Sequence, residues 1–268
     1  MASDSTFSAS RAQAADVAEL RIDQLSWTEI RDLLNDGYTT AIVVAASIEQ
    51  HGPHLPCDVD GRYGVEMAVR AARRLGNCLV TSAIKPGCSE HHMGFAGTIT
   101  ISAELLTGTV EAYIRCLAEA GFKEVILTSS HGGNFGPLHA ALPRLERAAA
   151  NAGLALTPVL DLAAWIAGLN AALVDRGIRQ GEVPAIQADL IETSLMLKLD
   201  PSVVHMERAE VGTLSNFDVA EMFTHGLKRM TANGILGDPR GASDLLGEAI
   251  FQALEKYLVD AVERARQA

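Results

Sequence analysis

Glu49 and His51 stand two residues apart in Glu49-Gln50-His51-Gly52-Pro53-His54-Leu55-Pro56, and Asp60 follows four residues later. The segment comes directly after Thr40–Ser47, an apolar run of strand length. Residues two apart on an extended strand end point to the same side. Gly52 and Pro53 break the strand and let the chain fold back, which brings Asp60 near the pair. Two carboxylates and an imidazole converging there make an N/O ligand set for Zn²⁺, Mn²⁺ or Fe²⁺. The plain alternative is a polar turn with satisfied histidines, because short motifs match freely by chance.

Two other segments offer chemistry. Ser130-His131-Gly132-Gly133-Asn134 places a ligand before backbone that can be approached closely, since neither glycine carries a side chain. A His-Gly-Gly turn also supplies oxyanion-hole amides in serine hydrolases, whose nucleophile sits in G-x-S-x-G. That elbow is missing: Ser89 lies in Gly-Cys-Ser-Glu-His, without the second glycine. Glu192-Thr193-Ser194 opens a helix, where a carboxylate ordinarily just complements the dipole. It becomes a ligand candidate only if the segment before it ends at the same crevice.

Strand-like and helical runs alternate along the chain. Strands are expected at Thr40–Ser47, Cys78–Ile84, Glu124–Ser129 and Ala155–Leu160, with a brief β-branched run at Thr98–Ile101. Helices are expected at Gly64–Arg74, Leu105–Ala120, Leu138–Asn151, Leu162–Val174, Ile191–Leu199 and Ser243–Arg266, the last with Ser243 as N-cap. Gly76 and Gly121 close two of them. This alternation predicts a single α/β domain, a mostly parallel sheet flanked by helices. In such sheets ligands bind at the carboxyl ends of the strands, where both the Glu49–Asp60 and His131–Asn134 clusters fall. Ala209–Gly241, polar and poorly periodic, reads as an excursion that covers the site or meets another subunit. Met1 to Ala15 lacks an apolar core and reads as a loose tail, so residues 1–20 are set apart from a domain over 21–268.

Composition narrows the partners. Lys and Arg total 22 against 33 Asp and Glu, a formal charge of −11, which counts against nucleic acid and anionic membranes. No apolar run approaches the ~20 residues of a membrane span. Cys57, Cys78, Cys88 and Cys116 form no C-x-x-C pair and read as reduced thiols of a cytoplasmic protein.

Taken together, these motifs resemble the creatininase (creatinine amidohydrolase) family over nearly the whole chain. Ser47 through Asp60 is similar to its S-x-E-Q-H-G-P-H-L-P…D block, and Ser89, His92, Phe95, Gly97 and Thr98 to its S-x-x-H-x-x-F-x-G-T block. His131–Asn134, Glu192–Ser194 and Gly237-Asp238-Pro239 through Ala242 look like three further family motifs. The resemblance implies an α/β hydrolase with one or two divalent metals, commonly zinc, manganese or iron, usually a homo-oligomer and often a hexamer. It implies Glu49, His51, Asp60 and His131 as ligands, Asp60 able to bridge, and Glu192 completing the second site. His54, His92, Asn134 and Trp165 become candidates for substrate contact.

Two departures matter. The creatinine-opening enzymes carry a glutamate in an H-x-E-N turn, where this chain has Gly133. The family's H-A-G-x-x-E-T-S segment supplies an acid/base histidine; here Gln187 stands in its place and Asp189 in place of the glycine. Gln187 cannot transfer a proton at neutral pH, and Asp189 could inherit that role. The expected reaction is therefore metal-assisted attack of water on a carbonyl of a small polar, cyclic substrate, with C–N cleavage. The alternatives are C–C ring opening of a diketo-inositol such as 3-dehydro-scyllo-inosose, and a metal-binding assembly subunit without turnover.

Overall fold

In the computed structural model, which describes residues 19–174, 187–214 and 219–267, four strands form one wholly parallel sheet. They are β1 (Thr40–Ala45), β2 (Cys78–Val80), β3 (Glu124–Ser129) and β4 (Ala155–Val159), in the order β2-β1-β3-β4. All six residues of β1 and all but the first of β3 are buried. Central parallel strands covered on both faces read as continuous apolar runs, and Ala41–Ala45 and Val125–Leu127 do so.

Eight α-helices among the described residues surround the sheet: α1 (Trp27–Asn35), α2 (Val59–Leu75), α3 (Ala103–Ala120), α4 (Gly132–Asn151), α5 (Leu162–Val174), α6 (Leu190–Leu199), α7 (Val219–His225) and α8 (Asp244–Ala265). α3 packs on α4, while α8 packs against α2, α5 and α6. Gly76 and Gly121, both at positive φ, end α2 and α3 as expected, and the Ser243 hydroxyl accepts from Leu246 N–H at the start of α8.

Several boundaries differ from the sequence expectation. β1 stops at Ala45, so Glu49 and His51 lie on the loop beyond it and not on the strand end. β2 stops at Val80, and Thr98–Ile101 forms only an isolated antiparallel bridge from Ile99 to Ile48. α2 starts at Val59, five residues early, which puts Asp60 in its first turn. Gly61 and Gly64 mask that start in sequence, yet Gly64 is needed there: a Cβ would lie 2.4 Å from Ser130 Oγ and 3.0 Å from Val44 Cγ1. α4 begins at Gly132, six residues before the expected Leu138, and continues through Pro137 and Pro143. α1 carries a Ser26–Glu29 capping box that was overlooked. Of the separated segment 1–20, residues 1–18 lie outside the described residues, and Leu20 belongs to the core, its carbonyl accepting from Val80 N–H.

Candidate metal centre

β1 and β3 run side by side to the same level, Ala45 opposite Ser129. From β1 the chain crosses to β2 on one side, while β3 lies on the other, so the crevice between their ends is a topological switch point. The loop after β1 brings in Glu49 and His51, β3 brings in His131, and the first turn of α2 brings in Asp60. Glu192, in the first turn of α6, reaches the same place.

These side chains face one another closely. His131 Nδ1 lies 3.3 Å from Glu49 Oε2 and 3.2 Å from Asp60 Oδ2. His51 Nε2 lies 3.5 Å from Asp60 Oδ1 and 3.4 Å from Glu192 Oε1. Two buried groups have donors close enough to hold a cation: Glu49 with His51 and Asp60, and Glu49 with His91 and His131. Glu49 is common to both.

The far side of each donor is tied down. His51 Nδ1 sits 3.1 Å from the Glu49 carbonyl, and His131 Nε2 3.1 Å from that of Cys88. Each imidazole thereby presents its other nitrogen to the cluster, the arrangement usual for metal-bound histidine. The Ser47 hydroxyl donates to Asp60 Oδ2 at 2.6 Å, and Ala188 N–H donates to Glu192 Oε2 at 2.5 Å. Glu49 Oε2 and His51 Nε2, by contrast, are buried without a hydrogen bond. Orphaned donor atoms aimed at one another among carboxylates and imidazoles fit a divalent cation.

The charges reinforce one another. Burial works against ionising Glu49, yet the neighbouring His131 and His92 hold its carboxyl well below the usual range. Burial likewise opposes protonating His51 and His131. The carboxylates of Glu192 and Asp60 nevertheless hold the first, and those of Glu49 and Asp60 the second, well above an ordinary imidazole. Asp189 goes the other way: burial, and then the charge of Glu192, push it up to about 8.

The remaining candidates separate into those at the centre and those that support it. His92 Nε2 lies 3.4 Å from Glu49 Oε1 and its Nδ1 3.4 Å from Gln50 Nε2, while burial pushes the ring down to about 4. Gln187 Nε2 donates to the Gln50 carbonyl at 2.8 Å. Asp189 caps α6 through Oδ1, which accepts from Ile191 and Glu192 N–H, and leaves a buried Oδ2 unpartnered. His54 and Asn134 are held by hydrogen bonds to neighbouring elements. His54 Nε2 bonds the Thr193 hydroxyl at 2.9 Å, and Asn134 joins the Ala46 carbonyl to Cys88 N–H. Both are buried and hydrogen-bonded within the scaffold.

His91 was missed. Its ring stacks on His131 with centroids 5.7 Å apart, and burial pushes it down to about 3. The tandem His91-His92 was visible, but the S-x-x-H spacing drew attention to His92 alone. Gly133 also has a clearer meaning. A Cβ there would lie 2.3 Å from the Cys88 carbonyl and 2.5 Å from His131 Nε2, so the Cys88 loop and His131 crowd out any side chain.

A cavity of about 130 Å³ opens beside the cluster. Glu49, Asp60, His91, His92, His131, Gln187, Asp189 and Glu192 form one wall. Leu162, Trp165, Ile166 and Leu169 of α5, with Met222 and Phe223 of α7, form the other. The excursion over 209–241 thus contributes α7 to the site's cover, although residues 215–218 within it lie outside the described residues.

The family model for creatininase, creatinine amidohydrolase, matches residues 23–262. The chain belongs to the creatininase family. The mycofactocin precursor peptide peptidase of Mycobacterium tuberculosis (strain CDC 1551 / Oshkosh) is 31% identical over 234 residues, 83% of this chain and 84% of the relative. The creatinine amidohydrolase of Pseudomonas putida is 26% identical over 250 residues, 90% and 95% of the two chains. The 3-dehydro-scyllo-inosose hydrolase of Thermotoga maritima is 29% identical over 176 residues, 63% of this chain and 52% of its own. Two solved creatininases, one described with Mn and one as a Zn-Zn type, each share the fold with a TM-score of 0.77 over 92% of this chain and 98% of theirs, at 24% identity. The chain is a creatininase-family hydrolase with a candidate metal-binding group, and no described helix is long and apolar enough to cross a membrane.

Proposed function

We propose that this chain hydrolyses a C–N amide bond of a small substrate, using one or two divalent ions held by Glu49, His51, Asp60, His131 and Glu192, with His91 as a further ligand. The observation that carries the reading is the pair of buried donor groups sharing Glu49, set against a cavity of substrate size. When bound, the ions would polarise the substrate carbonyl and acidify a water molecule. The residues of the chain do the rest. Asp60 and Glu192 are held by Ser47 and by the Ala188 amide, so their coordinating edges stay aimed at the cluster. Asp189, which lines the same cavity and has a buried Oδ2 without a partner, would hold or deliver the proton that the departing nitrogen needs.

The peptidase and amidohydrolase relatives support C–N cleavage over C–C ring opening, since the inosose hydrolase match covers the smaller share of the chain. The complete donor set speaks for turnover over a purely assembling role. The homo-oligomer implied by the sequence resemblance and a cytoplasmic setting, in keeping with the free described cysteines, complete the proposal.

Creatinine itself is expected to be a poor substrate, because Gln187 is spent on the Gln50 carbonyl where the family has its histidine. The test combines elemental analysis of wild type and Asp60→Ala with assays on creatinine and on other cyclic amides. Loss of at least one metal equivalent, with amide hydrolysis falling alongside, agrees with the proposal. Full metal content in Asp60→Ala contradicts the proposal, and efficient turnover of creatinine overturns the expectation drawn from Gln187.

A further inference from the structure

The wall facing the metal centre has no part in the chemistry above. Leu162, Trp165, Ile166 and Leu169 lie on one stripe of α5, and Met222 and Phe223 of α7 line the same cavity. None of the six can donate to or accept from a carboxamide except through the indole N–H of Trp165. Trp165 is fixed from behind by Phe135, with ring centroids 5.2 Å apart. Phe223 lies at the rim: it remains 53% exposed yet lines the cavity, and its ring meets that of His91 at 4.6 Å. A wholly polar substrate would leave this wall wetted or unfilled, and its apolar area would contribute nothing to binding.

We infer that the substrate of this site is an amide carrying one branched or cyclic apolar substituent, received between the α5 wall and Phe223 while the amide faces the metal ligands. Phe223 is the residue that selects it. The side chain closes the outer edge of the apolar wall, and its contact with His91 links that edge to the polar wall. This inference rests on the hydrolase reading above for the position of the amide, but the apolar preference can be measured without turnover.

Sequence makes that measurement direct. Trp27 and Trp165 are the two tryptophans of the chain, and Trp27 is 72% exposed. In a Trp27→Phe background the fluorescence reports on Trp165 in the cavity alone. The probes are hydantoin, 5-hydroxymethylhydantoin and 5-isobutylhydantoin, three cyclic amides differing in one substituent, added to full-length protein whose metal content has been measured. Burying a side chain of leucine size should favour the isobutyl compound about tenfold or more in dissociation constant over both others. Phe223→Ala should erase most of that preference while leaving the affinity for hydantoin and the metal content in place, and Phe223→Leu should keep it. Hydrolysis of the same probes is followed separately, so absence of turnover counts against the hydrolase reading and not against the apolar pocket. Equal affinity for the three probes, or loss of affinity for all of them alike in Phe223→Ala, would overturn the inference.

Discussion

The two walls of the cavity are built in opposite ways. The ligand wall is assembled by backbone: strand ends at Ala45 and Ser129, the first turns of α2 and α6, and carbonyls of Glu49 and Cys88 that hold the imidazoles. Almost every donor in it has a second partner behind it. The apolar wall is held by packing instead, with Trp165 against Phe135 and Leu169 in the core. Its six side chains project from α5 and α7, and Phe223 is half in solvent. The difference teaches which wall sets the chemistry and which can vary with the substrate: rigid polar placement for the reaction, adaptable apolar packing for selection.

Breaking the ligand wall should cost most. In Gly133→Ala the new methyl meets backbone at Cys88 and the held ring of His131, neither of which can swing away. We expect a loss of ~1–3 kcal/mol from overpacking, read as a lowered denaturant midpoint, together with weaker metal binding. An unchanged midpoint and metal content would show that this loop is soft and the contrast between the walls unfounded.

Asp189→Asn sharpens the contrast within the polar wall. Asparagine still caps α6 through its side-chain oxygen, so stability should change by a few tenths of a kcal/mol. A lost proton donor, in contrast, should lower kcat by ~10²–10⁴-fold at retained metal content. A kcat within twofold of wild type would reduce Asp189 to a helix cap.

On the apolar wall, Trp165→Phe keeps an aromatic surface but removes area. The expected change is a several-fold rise in KM for an amide with an apolar substituent, without a matching fall in kcat, because only uniform binding is lost. A fall in kcat with KM unchanged would place Trp165 with the reacting groups.

The smallest effect lies far from both walls. Arg70 of α2 forks onto Glu248 of α8 at 2.7 and 3.0 Å, and Lys198 of α6 joins at 3.2 Å. Arg70 first, with burial opposing and Lys198 assisting, holds the Glu248 carboxyl at about 2, below its usual 4.5. Since the folded value is depressed, this stabilisation is complete above about 4.5 and disappears as pH falls towards about 2. The pair is partly exposed and screened, so Glu248→Gln should cost well under ~1 kcal/mol at neutral pH and nothing at pH 2. A cost that persists at pH 2 would mean the residue packs and does not pair.

The same asymmetry explains what could be read from the chain. The parallel sheet was legible because Ala41–Ala45 and Val125–Leu127 are short, continuous and apolar, and Glu49, His51, Asp60, His131 and Glu192 lie beside such runs or at a helix start. The early start of α2 was not, because Gly61 and Gly64 weaken the helical signal, and only the packed sheet reveals why Gly64 must be small. Nor was the start of α4, where Gly132, Gly133, Gly136 and Pro137 weaken the local helical signal. His54 and Asn134 looked like site residues because they neighbour ligands in sequence, yet their side chains turn back to Thr193 and to the Ala46–Cys88 loop. Of the apolar wall the sequence singled out Trp165 alone. Met222 and Phe223 come to the cavity lined by α5 only through the fold, and nothing in their local sequence announces it.

The central claim is that Glu49 joins two cation sites at the switch point between β1 and β3. Elemental analysis of Glu49→Ala, purified and dialysed beside wild type after loading with zinc or manganese, tests it most directly, with circular dichroism confirming the fold. The account predicts loss of both metal equivalents in the variant, since Glu49 is the one donor common to both groups. Retention of the full wild-type metal content by folded Glu49→Ala would contradict it.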